Sequence, residues 1–267
     1  MTMRYICAVA IWFFQITPAL ANCDFSTGKY LKEMSHPSSV SSLSIKVKKS
    51  ANYAKDAFKI ILSKANIIQP EFKKRFAATI VVSYPFGSCI YNATVRQNGD
   101  FKDHIKFNSD GEIVRSLDVK LKDGNVLNAV RFKLFIPETR NGKHEVLACL
   151  ILREAGFISP ETFEVNVSVN GAQSLMLFQE NAEKELLESN LRREGPIFEG
   201  DESLLWSYKD YENFELAQLA LSRLENENWF KKGRSSQQII IEAHARLQKT
   251  FLNYGLMSEQ KNAELRF

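Results

Sequence analysis

Two runs decide how this chain is read. VRFKLFIPETRNGKHEVLACLILREAGF covers Val130–Phe157 and VNVSVNGAQSLMLFQE covers Val165–Glu180. In the first, Val130 to Ile136 alternates apolar and basic residues, as a half-buried strand does, and Pro137 stops it. From about Asn141 to Ala155 the spacing turns helical, with Val146, Leu147, Leu150, Ile151 and Ala155 on one stripe. Gly156 followed by Phe157 suits a helix stop. In the second run, Asn170-Gly171 between two alternating segments is a strong hairpin signal.

Working outward, the same periodicities recur. LSIKVK (Leu43–Lys48) alternates like a strand, and Ala51 to Ala65 spaces Tyr53, Ala57, Phe58, Ile61 and Leu62 as a helix does. Thr79 to Tyr84 and Ser88 to Val95 read as strands flanking Pro85-Phe86-Gly87. Asn98-Gly99-Asp100 is a turn, Ile105 to Phe107 and Ile113 to Leu121 continue the sheet, and Asp123-Gly124-Asn125 marks another hairpin. After Glu180 the expectation is helical: Asn213 to Leu224 carries an apolar stripe. A helix from Ser235 to about Tyr254 is expected to stop at Gly255. The pattern predicts an α+β chain, a mainly antiparallel sheet with one helix packed on it and a helical tail.

At 267 residues, 45% hydrophobic and 25% charged, the chain is long enough for a real core and is not compositionally disordered. A net charge of +4 is too small to argue for nucleic acid. Met1 to Ala21 has the form of a secretory signal: Arg4, an apolar run from Tyr5 to Ile16, then Ala19-Leu20-Ala21. The run is short for a membrane span, so the expected destination is the periplasm or the exterior, with no stable membrane span after cleavage. Asn22 to Ser42 reads as a linker rich in Ser, Gly and Pro. Beyond the leader remain Cys23, Cys89 and Cys149. Cys149, mid-helix among apolar residues, is most simply a buried small hydrophobe, while Cys23 and Cys89 are free to pair in an oxidising compartment. No Cys-x-x-Cys or paired-His spacing suggests a structural zinc site.

The candidate site begins with Lys133, with Arg131 two residues earlier on the same strand face. Facing a cleft they would meet phosphate; on an open sheet they are solvated. Glu145 stands in the first turn of the next helix and Glu154 near its other end; either can pair with Lys133, and Glu145 serves the helix dipole in any case. Gln179 and Glu180 end the second hairpin strand. Lys184 and Glu188 form an i, i+4 pair in a charged run that reads as a solvated helix face.

The strings GDFKDHIKF, SLDVKLKDG, FKLFIPETRNGKHEVLACLILREAGF, VNVSVNG, LFQENAEKELLE and RREGPIFEGDE, from about Asp100 to Trp206, resemble the spore-coat protein H (CotH) kinase-like family and uncharacterised exported bacterial relatives. The resemblance implies an atypical protein-kinase-like N-lobe over residues 43–180, with residues 181–267 supplying the first helices of an incomplete C-lobe. It implies ATP and Mg²⁺ as cofactors and a protein substrate in the envelope. Lys133 becomes the phosphate-contacting lysine, Glu145 its helix partner, and Gln179-Glu180 the adenine-side hinge, with Arg131 beside them. Such an ion pair fixes an ammonium where phosphate charge must be neutralised.

The carboxylate that orients the acceptor hydroxyl and the Asp or Asn side chains that hold Mg²⁺ come from a second lobe. No His/Asp/Asn catalytic loop precedes Phe267. Three readings follow: part of a longer kinase-like protein, a non-catalytic relative acting as an envelope binding or assembly module, or an unrelated α+β envelope protein.

Overall fold

The computed structural model describes residues 22–200 and 222–264, with side chains as far as Tyr254. Its centre is a closed β-barrel. In chain order the strands are β1 (Asn22–Cys23), β2 (Ser42–Val47), β3 (Phe76–Tyr84), β4 (Gly87–Gln97), β5 (Ile105–Phe107), β6 (Ile113–Arg115), β7 (Leu117–Leu121), β8 (Arg131–Phe135), β9 (Thr162–Val169), β10 (Ala172–Glu180), β11 (Phe198–Gly200) and β12 (Ser222–Leu224). The helices are α1 (Leu31–Met34), α2 (Ser50–Leu62), α3 (Lys143–Glu154), α4 (Lys184–Ser189), α5 (Glu227–Phe230) and α6 (Arg234–Glu264).

Seven strands close in the order β4-β3-β2-β9-β10-β8-β7, and β7 returns to β4. All neighbours are antiparallel except β2 and β9, which run parallel. β1 extends the free part of the β4 edge, and its Cys23 is joined to Cys89 by a disulfide. Closure satisfies the backbone groups that an open sheet leaves bare at its edges.

This corrects the expected fold. A kinase-like N-lobe is an open sheet with a helix packed on it, whereas here the β4–β7 ladder from Ala93–Leu121 to Gln97–Leu117 shuts the sheet on itself. The mixture of strands and helices is as expected; the kinase-like architecture is not.

The strict period of two explains the barrel's interior. Leu43, Ile45 and Val47 of β2, Ile80 and Val82 of β3, Tyr91 and Val95 of β4, Leu117 and Val119 of β7, Phe132 and Leu134 of β8, and Met176 and Phe178 of β10 are all buried in one core. Phe178 stacks between Phe132 and Phe163, with ring centroids 4.6 and 4.8 Å away. The barrel is filled by side chains, as expected at this strand number. The β9–β10 hairpin turns at Asn170-Gly171, both at positive φ (52° and 105°), the geometry that this dipeptide favours.

α2 lies across the end of the barrel marked by Phe76 and Gln97. Tyr53 enters the core edge-on to Phe76 at 5.5 Å, and Ala57 and Ile60 pack with Ile68 and Ile105 in a smaller cluster. α3 sits on the outer surface beside β9 and buries only Cys149. The stripe read as its packing face is bare: Leu147, Leu150 and Ile151 are exposed. Cys149 is buried, as expected.

The stretch read as a linker is tied to the barrel. Tyr30 stacks on Phe86 at 4.3 Å, and Phe25 meets the same ring edge-on at 5.0 Å. Towards the C-terminus, most of the expected Asn213–Leu224 helix lies outside the described residues, and its last three residues are β12, paired with β11. The last helix runs through Gly255 to Glu264, since an isolated glycine weakens a helix without ending it. Among the described residues no helix is long and apolar enough to cross a membrane.

Candidate functional site

Strand alternation that fills the barrel with apolar residues sends the intervening ones outward. Register aligns them in a row across four strands: Arg96 of β4 opposite Asp118 of β7, Asp118 opposite Lys133 of β8, and Lys133 opposite Gln179 of β10. One step along, Thr94, Lys120 and Arg131 form a second row.

Asp118 is the hub. Its side chain is fully buried, yet lies on the outer face, because three guanidinium groups cover it. Arg131 holds it bidentately, Nε donating to Oδ1 at 2.9 Å and Nη2 to Oδ2 at 2.8 Å. Arg96 Nε donates to Oδ2 at 2.6 Å and Arg75 Nη2 to the same oxygen at 2.8 Å. Arg131 also donates from Nη1 to Glu183 at 2.6 Å. Burial by itself would raise the Asp118 carboxyl. The Arg131 hydrogen bond and the charges of Arg131, Arg75 and Arg96 outweigh it and bring the pKa down to about 2.

Around Asp118 cations are in excess: Arg75, Arg96 and Arg131 stand against Asp118 and Glu183. Further along the row the charges are closer to balance, with Glu225 near Lys133 and Glu145 held by Gln179. The excess is felt within the cluster. Burial, offset by Asp118 and reinforced by Arg96 and Arg131, holds Arg75 below the ordinary arginine value. Arg75 and Arg96 remain 32% and 37% exposed, so a ligand can reach them.

The residues implied by the kinase resemblance fall in this neighbourhood, but not as one constellation. Among the described residues Lys133 makes no ion pair. Its ammonium favours the ionised form of Glu225, whose carboxyl is nevertheless raised, chiefly by burial. Glu145 accepts a hydrogen bond from Gln179 Nε2 at 2.8 Å, which ties the start of α3 to β10. Arg131 serves Asp118 and Glu183. Gln179 and Glu180 project to opposite faces of β10, since neighbours in a strand must.

Glu180 continues the inward series Met176, Phe178. It is buried, with Oε2 accepting from the Glu161 amide at 3.3 Å and Oε1 without a hydrogen-bond partner among the described residues. Burial first, then the neighbouring Glu161 and Glu185 carboxylates, push its pKa up to about 7 against the Glu161 amide and Arg153. Among the described residues no group of three or more His, Cys, Asp or Glu is placed to hold a metal ion.

At the α2-capped end another arginine is held differently. Arg115 is buried, its Nε donating to Gln97 Oε1 at 2.8 Å and its Nη1 to the Tyr53 carbonyl at 3.1 Å. The guanidinium carbon lies 4.2 Å from the Tyr53 ring centroid. Beside it His104 Nδ1 is 2.9 Å from Ser116 Oγ, which accepts from the Ile136 amide at 3.0 Å.

The sequence reading found Arg131 and Lys133 but missed Asp118, Arg75 and Arg96. The available signal was Asp118 itself, an acidic residue inside the strand LDVKL, where carboxylates are rare and need partners. It also placed no serine–histidine pair. The structure sets Ser222 Oγ 2.9 Å from His244 Nε2 beside a groove of about 510 Å³ lined by Phe198, Leu224, Phe230 and Ile240. No family model matches the chain, and no curated protein matches it.

Proposed function

We propose that this chain is a non-catalytic binding module of an exported protein, and that its arginine-rich outer face takes an acidic segment of a partner protein. The observation that carries this reading is Asp118, buried under three guanidinium groups, two of which remain about one-third exposed. Guanidinium forks match carboxylates, and this cluster already holds one carboxylate bidentately. Strands of a closed barrel keep the cations at fixed spacing, so little side-chain order remains to be imposed on binding. The Cys23–Cys89 disulfide favours an oxidising compartment. The ATP and Mg²⁺ expectation came with a kinase-like N-lobe, and residues 43–180 form a closed barrel instead.

Fluorescence anisotropy of a labelled glutamate-rich peptide tests this. Binding is expected at low salt, weakening as salt screens it. Arg96→Gln and Lys133→Gln are each expected to weaken it about tenfold, and Lys32→Gln, away from this face, to leave it unchanged. Equal affinity for all three variants, or no binding at low salt, overturns the reading. ATP with Mg²⁺ in place of the peptide tests the cofactor implied by the family resemblance.

A further inference from the structure

We infer that α3 is a self-association surface through which two copies of this chain pair as antiparallel helices. The inference is independent of the arginine-rich face. α3 buries Cys149 toward Thr162, whose hydroxyl lies 3.4 Å from the Cys149 sulfur. The helix surface turned away from it carries Lys143, Leu147, Leu150, Ile151 and Glu154. Leu147, Leu150 and Ile151 are 54%, 44% and 58% exposed, and Lys143 and Glu154 are exposed as well. From Lys143 through Leu147 and Leu150 to Glu154 the steps are four, three and four residues, the spacing of a helix–helix seam.

This seam is complementary to itself in one orientation only. A two-fold axis between Ala148 and Cys149 sets Leu147 against the partner's Leu150 and Lys143 against the partner's Glu154, at both ends. A parallel pairing would set lysine against lysine and glutamate against glutamate. Neither Lys143 nor Glu154 makes an ion pair among the described residues, so both charges are available. Phe157 and Ile158, 63% and 41% exposed, extend the apolar surface past the helix end. Complete coverage of five such side chains at on the order of 100 Å² each buries at most about 1,000 Å² over two copies, the size of a weak, reversible interface.

Sedimentation velocity on the disulfide-intact chain across a concentration series reads the pairing. A reversible monomer–dimer equilibrium is expected, and Leu147→Glu should leave monomer at every concentration, with an unchanged melting temperature showing that it folds. Lys143→Glu and Glu154→Lys should each weaken the dimer about tenfold, and the double swap should restore it. Monomer alone for the unaltered chain, a dimer indifferent to Leu147→Glu, or a double swap no tighter than the single ones overturns the inference.

Discussion

Arg115 and Asp118 stand three residues apart and solve the same problem, a buried charge, in opposite ways. Arg115 lies at the capped end of the interior and is met by neutral groups: the Gln97 amide oxygen, the Tyr53 carbonyl and the Tyr53 ring. Asp118 lies on the outer face and is buried by its own counterions. Inside, polar groups already fixed by the fold solvate two of the guanidinium nitrogens, and Nη2 has no hydrogen-bond partner among the described residues. Outside, charges screen a carboxylate and leave a surplus that faces the surroundings. The first arrangement serves the fold, and the second is a surface that a ligand can use.

The largest expected effect comes from removing the hub. Asp118→Ala leaves three guanidinium groups crowded without their anion, and the loss is expected at about 3–5 kcal/mol in chemical denaturation. A loss under about 1 kcal/mol would mean that water already screens the cluster as on an ordinary surface.

Glu180 offers an interior carboxyl for comparison. Its folded pKa of about 7 lies above its ordinary value of 4.5, so the folded state holds the proton that the unfolded state releases. Stability is therefore expected to fall as pH rises from about 4.5 through 7, by up to about 3 kcal/mol. Glu180→Gln should remove that slope, and melting temperatures well below and well above the folded pKa of about 7 read it directly. A parallel decline in both proteins would place the titration elsewhere.

Asp118 titrates with the opposite sign. Its folded pKa of about 2 is below its ordinary 3.8, so its contribution is present above about pH 4 and is lost as pH falls through 2. The expected loss, on the order of 2 kcal/mol, should vanish from the acid limb in Asp118→Asn.

The smallest effect belongs to Arg115→Met. Removing a buried cation relieves its desolvation but strands Gln97 Oε1 and the Tyr53 carbonyl, and the balance is expected within about 1 kcal/mol. A loss as large as that of Asp118→Ala would erase the distinction between the two sites.

Much of the local structure was legible. The alternation in LSIKVK and RFKLF, the Asn170-Gly171 turn and the helical spacing after Asn141 all correspond to elements of the fold, because each depends on residues within a few positions of one another. Closure was not legible. Alternation shows that a strand has an inner face, and says nothing of which strand completes the ring. The parallel pairing of Ser42 with Asn166 and the return of β7 to β4 join residues far apart in sequence. The α3 stripe failed for a related reason: periodicity shows an apolar face without showing what covers it, and the barrel covers Cys149 instead. At the site, Arg131 and Lys133 were visible as outward cations. Their common centre was not, since Arg75 and Arg96 reach Asp118 only after the barrel has closed.

The most direct test of the arginine-rich face is an NMR titration of the chain with a glutamate-rich peptide, following the arginine Nε–H signals. Arg75 and Arg96 are expected to shift in a saturable way while Arg115, enclosed by Gln97 and Tyr53, stays in place. Shifts confined to arginines elsewhere, or none at any peptide concentration, would contradict the assignment of this face as the binding site.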